Sequence, residues 1–181
     1  MTLKKTLLFS ALLVCAFVSC KKNNSASSGG NYHFTATIDG KAQTFNVSPL
    51  AVRVTNSGVS LIGIEGFTSA SSTTQVLAVS WTNNPPNSAA FTVGTYSDTA
   101  SKYAIGGNYN PSTTEAYVSG SGIESGATTN IPFANRLKIV ITAVDSTTVR
   151  GTFSGVFYLN GDLTQAKKTI TDGDFYVPWK K

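Results

Sequence analysis

The chain has 181 residues, and its formal net charge of +5 is carried at its ends. Setting aside Lys4, Lys5, Lys21, Lys22, Lys180 and Lys181 leaves eight basic and nine acidic residues between Asn23 and Trp179. A body near −1 has no basic stripe for a nucleic acid backbone, so nucleic-acid partners are excluded. Charged residues make up only 13%, with Ser, Thr, Asn and Gly in their place, and 10% aromatic content argues against a disordered body.

The N-terminal segment reads as an export signal. Lys4 and Lys5 precede an apolar run from Leu7 to Val18. That run is shorter than the ~20 apolar residues that span a bilayer. Ser19 then supplies a small residue before Cys20. The segment resembles the bacterial lipobox, with Phe17 where Leu is most usual, and the resemblance implies that the Cys20 thiol is alkylated by a diacylglycerol and becomes the new N-terminus. Cys15 competes less well, because the branched Val14 before it fits a signal peptidase poorly. Several acyl chains, at ~0.8 kcal/mol per buried CH₂, would hold the protein on a membrane where one chain would not.

The expected organisation is a signal peptide over 1–19, a lipidated cysteine and flexible tether over 20–30, and one domain over 31–181. Cys15 leaves with the signal and Cys20 is lipidated, so the domain has no thiol for a disulfide. At ~150 residues it buries ~68–70% of its unfolded surface and stands without staples. The tether, KKNNSASSGG, lacks apolar periodicity and reaches ~15–20 Å r.m.s.. Lys21 and Lys22 could touch anionic head groups or simply solvate it.

From Tyr32 the pattern is strand after strand. Phe34, Ala36 and Ile38 alternate with His33, Thr35 and Thr37, and Asp39-Gly40 tolerates the positive φ of a two-residue hairpin. Lys41 to Val47 returns. Leu50 to Val54 and Val59 to Phe67 pair through Asn56-Ser57-Gly58. Gln75 to Trp81 and Phe91 to Tyr96 follow, separated by a loop with Pro85-Pro86. In the Gly- and Ser-rich middle, Tyr103 to Ile105 and Ala116 to Val118 are short strands, and Gly120 to Asn130 is a loop. Arg136 to Val144 puts Leu137, Ile139, Ile141 and Ala143 on one face. Thr148 to Leu159 does the same with Val149, Gly151, Phe153, Gly155 and Phe157. Lys168 to Thr171 and Phe175 to Val177 read as a last hairpin around Asp172-Gly173. No helix longer than a turn or two is supported. About ten short strands with frequent turns predict an all-β, antiparallel β-sandwich or, alternatively, a partly open, calycin-like β-barrel.

Three C-terminal segments, Thr142-Ala143-Val144-Asp145, Gly151-Thr152-Phe153-Ser154-Gly155 and Ile170-Thr171-Asp172-Gly173-Asp174-Phe175, stand with Gly94-Thr95-Tyr96 upstream. Together they resemble an uncharacterised family of Bacteroidota lipoproteins, across most of residues 31–179. The resemblance implies a β-sandwich and brings no chemistry with it.

Candidate chemistry is sparse. His33 is the single histidine and reads as a sheet residue; without a second histidine or a thiolate, a zinc site is excluded. No Gly-x-Ser-x-Gly elbow supports a serine hydrolase. Asp172-Gly173-Asp174 lacks the EF-hand pattern and is explained as a turn. Gly120-Ser121-Gly122 with Gly126 has the wrong spacing for a dinucleotide loop. Glu65 lies among apolar residues and is expected at an edge or facing solvent. No cofactor and no metal are predicted.

Among the aromatics, Trp81, Tyr96, Tyr103, Tyr109, Tyr117, Tyr158, Tyr176 and Trp179 could include a sugar-stacking platform. Tyr103, Tyr109 and Tyr117 are favoured because they fall in the irregular middle, where loops commonly carry binding. Asp98-Thr99-Ala100 and Asp145-Ser146-Thr147 look like Bacteroidota O-glycosylation sites, which would modify Thr99 and Ser146.

The sequence thus predicts a noncatalytic envelope lipoprotein that binds or assembles. A glycan-binding module is the alternative, and a glycoside hydrolase-like enzyme comes third. Its partners are the membrane, through Cys20, and a glycan or envelope protein. Lys21-Lys22-Asn23-Asn24 places no acid after the cysteine, and none occurs before Asp39. By resemblance to lipoprotein sorting rules, that implies the periplasmic face of the outer membrane.

Overall fold

The computed structural model describes residues 32–56, 59–69, 76–83, 91–97, 103–120, 137–162 and 164–180. Among them run eleven strands and no helix. These are β1 (His33–Ile38), β2 (Lys41–Thr44), β3 (Val47–Asn56), β4 (Val59–Phe67), β5 (Val76–Asn83), β6 (Gly94–Ser97), β7 (Tyr103–Asn110), β8 (Tyr117–Gly120), β9 (Lys138–Val144), β10 (Thr148–Leu159) and β11 (Lys167–Pro178). They form one strongly curled antiparallel sheet, a half-barrel, in the order β2-β1-β11-β10-β8-β7-β5-β4-β3, with β6 joined to β9 and β9 to β10. The all-β antiparallel expectation is met, and a single sheet supplies both walls of the core.

Shared strand edges produce the curl. One edge of β10 takes β9 along Val149–Ser154 and then β8 at Tyr158 and Leu159. β11 pairs with β10 on one side and with β1 on the other. Past the start of β1, Trp179 bridges to Ala51 of β3, and the Lys180 amide donates to the Ala51 carbonyl at 2.7 Å. Trp179 is held further by its amide on the Thr147 carbonyl and its indole N–H on the Asp145 carbonyl, both 2.9 Å, with the Arg53 guanidinium 4.9 Å from its ring centre.

Three bulges adjust the alternation. In β11 the register slips by one residue against both neighbours around Asp172, whose φ is 49°. Lys167–Pro178 is therefore one continuous strand, and the hairpin expected at Asp172-Gly173 is corrected to a bulge. The physical reason is that positive φ at an Asp-Gly pair serves a bulge as well as a turn. Asp39-Gly40, with φ of 50° and 78°, does form the expected hairpin. In β9 the extra residue is Thr142, so Val144 rather than Ala143 returns to the core and Ala143 is exposed. In β3, Ser48 at φ 50° and Pro49 fall where the register with β4 slips. Proline is tolerated there because a bulge leaves its missing N–H unneeded. Among the described residues of the middle, β7 spans Tyr103–Asn110 instead of three residues, and the loop expected from Gly120 to Asn130 lies outside them but for Gly120.

The core is a chain of rings inside the curl. Phe34 stacks on Phe153 at 5.2 Å and meets Phe45 edge-on at 6.2 Å, and Phe45 meets Tyr109 at 90°. At the other end Trp81, Phe91 and Tyr96 form a second group, and Phe91 meets Trp179. Tyr96 also clamps its own approach: its hydroxyl donates to the Thr92 carbonyl at 2.7 Å and accepts from the Thr92 amide at 2.9 Å. Leu137, Ile139, Ile141, Phe153 and Phe157 are all buried, as period-two alternation requires. Phe153→Ala should cost ~3–5 kcal/mol in denaturant unfolding, because it empties a site packed on Phe34 and Phe175. A loss below ~1 kcal/mol would contradict this packing.

Candidate functional site

Alternation that turns Phe153 and Phe157 inward turns Thr152 and Ser154 outward. Beside them on β9 lie Lys138 and Val140, cross-strand partners of Ser154 and Thr152. On the other side β11 presents Thr171, Asp172 and Asp174. These residues line an open groove of about 540 Å³ on the outer face of the half-barrel.

The bulge shapes this groove. Asp172 occupies the left-handed region, which Asp tolerates better than most residues. Its carboxylate accepts a 2.9 Å hydrogen bond from the Thr171 hydroxyl. Gly173 lies flat on the core behind it. A Cβ there would stand 2.5 Å from the Phe153 carbonyl and 2.6 Å from its ring, so only glycine lets β11 approach. Asp174 Oδ1 is hydrogen-bonded to His33 Nε2 of β1, which fixes that carboxylate's orientation. The His33 ring lies 6.4 Å from Tyr176, and Tyr176 lies 5.3 Å from Tyr32. Both tyrosines are half-buried. Two carboxylates, one ammonium, several hydroxyls and two aromatic rings thus share one surface. The arrangement can accept and donate hydrogen bonds in pairs and offer an apolar ring beside them.

The residues singled out in the sequence fall elsewhere. Tyr109 and Tyr117 are 5% and 4% exposed, on regular strands, with rings 6.3 Å apart in the core. The expectation that they form an exposed platform is corrected, since their faces pack against protein. The Tyr109 hydroxyl reaches Gln43 at 3.4 Å, and burial raises its pKa above the usual phenol value. The Lys168 ammonium lies 5.5 Å from the Tyr117 ring centre and 2.9 Å from Asp39, docking the first hairpin on β11. Tyr103 opens β7, and its side chain lies outside the described residues, as do Cys20 and Thr99. Ser146 is exposed in the turn between β9 and β10. That turn is rigid: Asp145 accepts from the hydroxyls and amides of Thr147 and Thr148 at 2.7–2.9 Å. These bonds, the Thr147 hydroxyl foremost, hold the Asp145 carboxyl well below the usual carboxylate range.

Glu65 is the second correction. It is 8% exposed, in the interior of the sheet between Leu50 of β3 and Ala78 of β5. Ile62 and Ile64 take the core face, so Glu65 lies on the opposite one, yet it is covered there as well. Burial pushes its pKa from 4.5 up to about 7, opposed by the charge of Lys180. Among the described residues no three His, Cys, Asp or Glu side chains converge as metal ligands would.

The groove was missed in the sequence because it joins three strands and a bulge. The available signal was parity: Ile170 and Phe175 cannot share a face of one unbulged strand. Comparison of the chain with protein-family models, with curated proteins and with solved structures finds no match.

Glu65 makes stability depend on pH in a defined direction. Its folded pKa lies above its unfolded value, so the fold favours the protonated form. Stability should be greatest below the unfolded pKa and fall as pH rises from 4.5 to about 7, then level off. Ionising Glu65 within the fold costs about 3 kcal/mol. Glu65→Gln should therefore raise the melting temperature at mildly alkaline pH and change it little at mildly acidic pH. Equal effects at both would show that Glu65 ionises freely.

Proposed function

We propose that this is a noncatalytic lipoprotein of the cell envelope, tethered through Cys20, whose outer groove on β9, β10 and β11 binds a ligand. The observation that carries the reading is the groove itself. Its lining sets hydroxylated side chains and charged ones of both signs beside Val140 and Phe153, and it is built around a non-glycine residue at positive φ. Bulges commonly re-aim side chains at functional sites, and a residue kept in a sparsely populated conformation points the same way. The expected tether supports the role, because a linker with the composition KKNNSASSGG would let an attached domain range over a surface. The lack of an acidic residue after Cys20, where Lys21-Lys22-Asn23-Asn24 follow, supports the periplasmic face of the outer membrane.

Two measurements test this. Cys20→Ala should move the protein from the membrane to the soluble fraction; a variant that stays membrane-bound, with unlipidated wild type by mass spectrometry, would end the anchor reading. Amide chemical-shift titration with a soluble envelope extract should perturb Thr152, Ser154, Thr171 and Asp172 before other residues. Perturbation confined to other faces would remove the groove as the binding site.

A further inference from the structure

We propose that the ligand of this groove is a neutral saccharide, with one sugar ring against Tyr176 and its hydroxyls shared among Asp174, Asp172 and Thr152. The inference rests on reading the groove as a ligand site and names what fills it.

Three observations converge. The first is the position of the aromatic rings. Tyr176 is the next outward residue of β11 after Asp174, so it stands just past the end of the groove's lining, about 6.5 Å along the strand. That is close to the length of one sugar unit. Tyr32 packs beside Tyr176 at 5.3 Å with its ring tilted 53°, which widens the apolar shelf. Tyrosine offers a flat apolar body with a polar tip, which suits a ligand whose faces are CH-lined and whose rim is hydroxylated.

The second is the hydrogen-bonding set. Asp174 Oδ1 already bonds His33, and its second lone pair together with Oδ2 can accept from two adjacent hydroxyls of a sugar. Asp174 is already aimed by His33, so little orientational freedom is lost when a diol binds. Thr152, the cross-strand partner of Asp174, adds a hydroxyl that both donates and accepts.

The third is charge. Asp172 and Asp174 repel an anionic ligand, while Lys138 at one end and Arg150 beside Tyr176 oppose a polycation. The ligand that meets neither penalty is neutral and rich in hydroxyls.

The test is native electrophoresis of the full chain through gels that each contain one neutral polysaccharide: a β-glucan, a xylan, a mannan or an α-glucan. At least one should retard the protein. Tyr176→Ala should weaken that retardation by about tenfold or more, whereas Tyr176→Phe, which keeps the ring, should retain most of it. Asp174→Asn should weaken it as well. Circular dichroism melting checks that each variant folds. Should Tyr176→Ala unfold, Thr152→Trp serves instead, because it fills the groove from an exposed position and must abolish retardation. Retardation that survives Tyr176→Ala and Thr152→Trp would overturn the site. If no gel retards the protein while envelope extract still perturbs the groove amides, the ligand class is wrong and the groove reading survives. If neither responds, both fall.

Discussion

The structure depends on β11 being an interior strand. Its twelve residues pair with β10 along one edge and with β1 along the other, and the residue after it bridges to β3. Each of those neighbours buries its apolar face only because β11 lies between them. Ile170, Phe175 and Val177 fill the space enclosed by the curl, next to Phe34 and Phe153. A sheet of this curvature could not close on an edge strand in that position, since one row of amides and carbonyls would be left unpaired.

The bulge at Asp172 is the consequence of that demand. Ile170 stands at an even position, whereas Phe175 and Val177 stand at odd ones, and all three are fully buried. Strict alternation would send either the first or the other two into solvent. One additional residue resolves the conflict, and the same device at Thr142 brings both Ile141 and Val144 to the core. The groove is what the correction looks like from outside. The extra residue carries its carboxylate outward, Gly173 drops onto Phe153, and Thr171, Asp172 and Asp174 gather on one face. Packing and the candidate site are therefore two sides of one local event, and a deletion that removed the extra residue would also erase the groove.

Much of the fold was legible because period-two alternation is a local signal. His33 to Ile38 and Thr148 to Leu159 could be read residue by residue, and the Asp39-Gly40 turn followed from backbone conformation alone. What failed were inferences that needed the neighbours of a strand. Asp172-Gly173 has the chemistry of a hairpin turn, and only pairing on both flanks shows that the chain continues straight. Tyr109 and Tyr117 lie in a Gly-rich stretch that suggests loops. Gly107 is there because a Cβ would collide with the Phe157 ring at 2.5 Å, which marks close packing rather than irregularity. Glu65 could be placed on a strand but not at depth, because its burial depends on the strands to either side and on what covers them. The groove combines three strands distant in sequence, so none of its residues stood out alone.

The position of β11 also constrains when the protein can become itself. Its partner β1 begins at His33, and their pairing spans almost the entire domain. Of the described strands β11 is made last, so until it appears β1 has only β2, and β10 only β8 and β9, to pair with. Contacts of such sequence separation are slow to form. A chain arranged this way completes its core only once β11 has been made. Moving the central strand to the front of the sequence would give a domain with similar contacts but an earlier chance to fold.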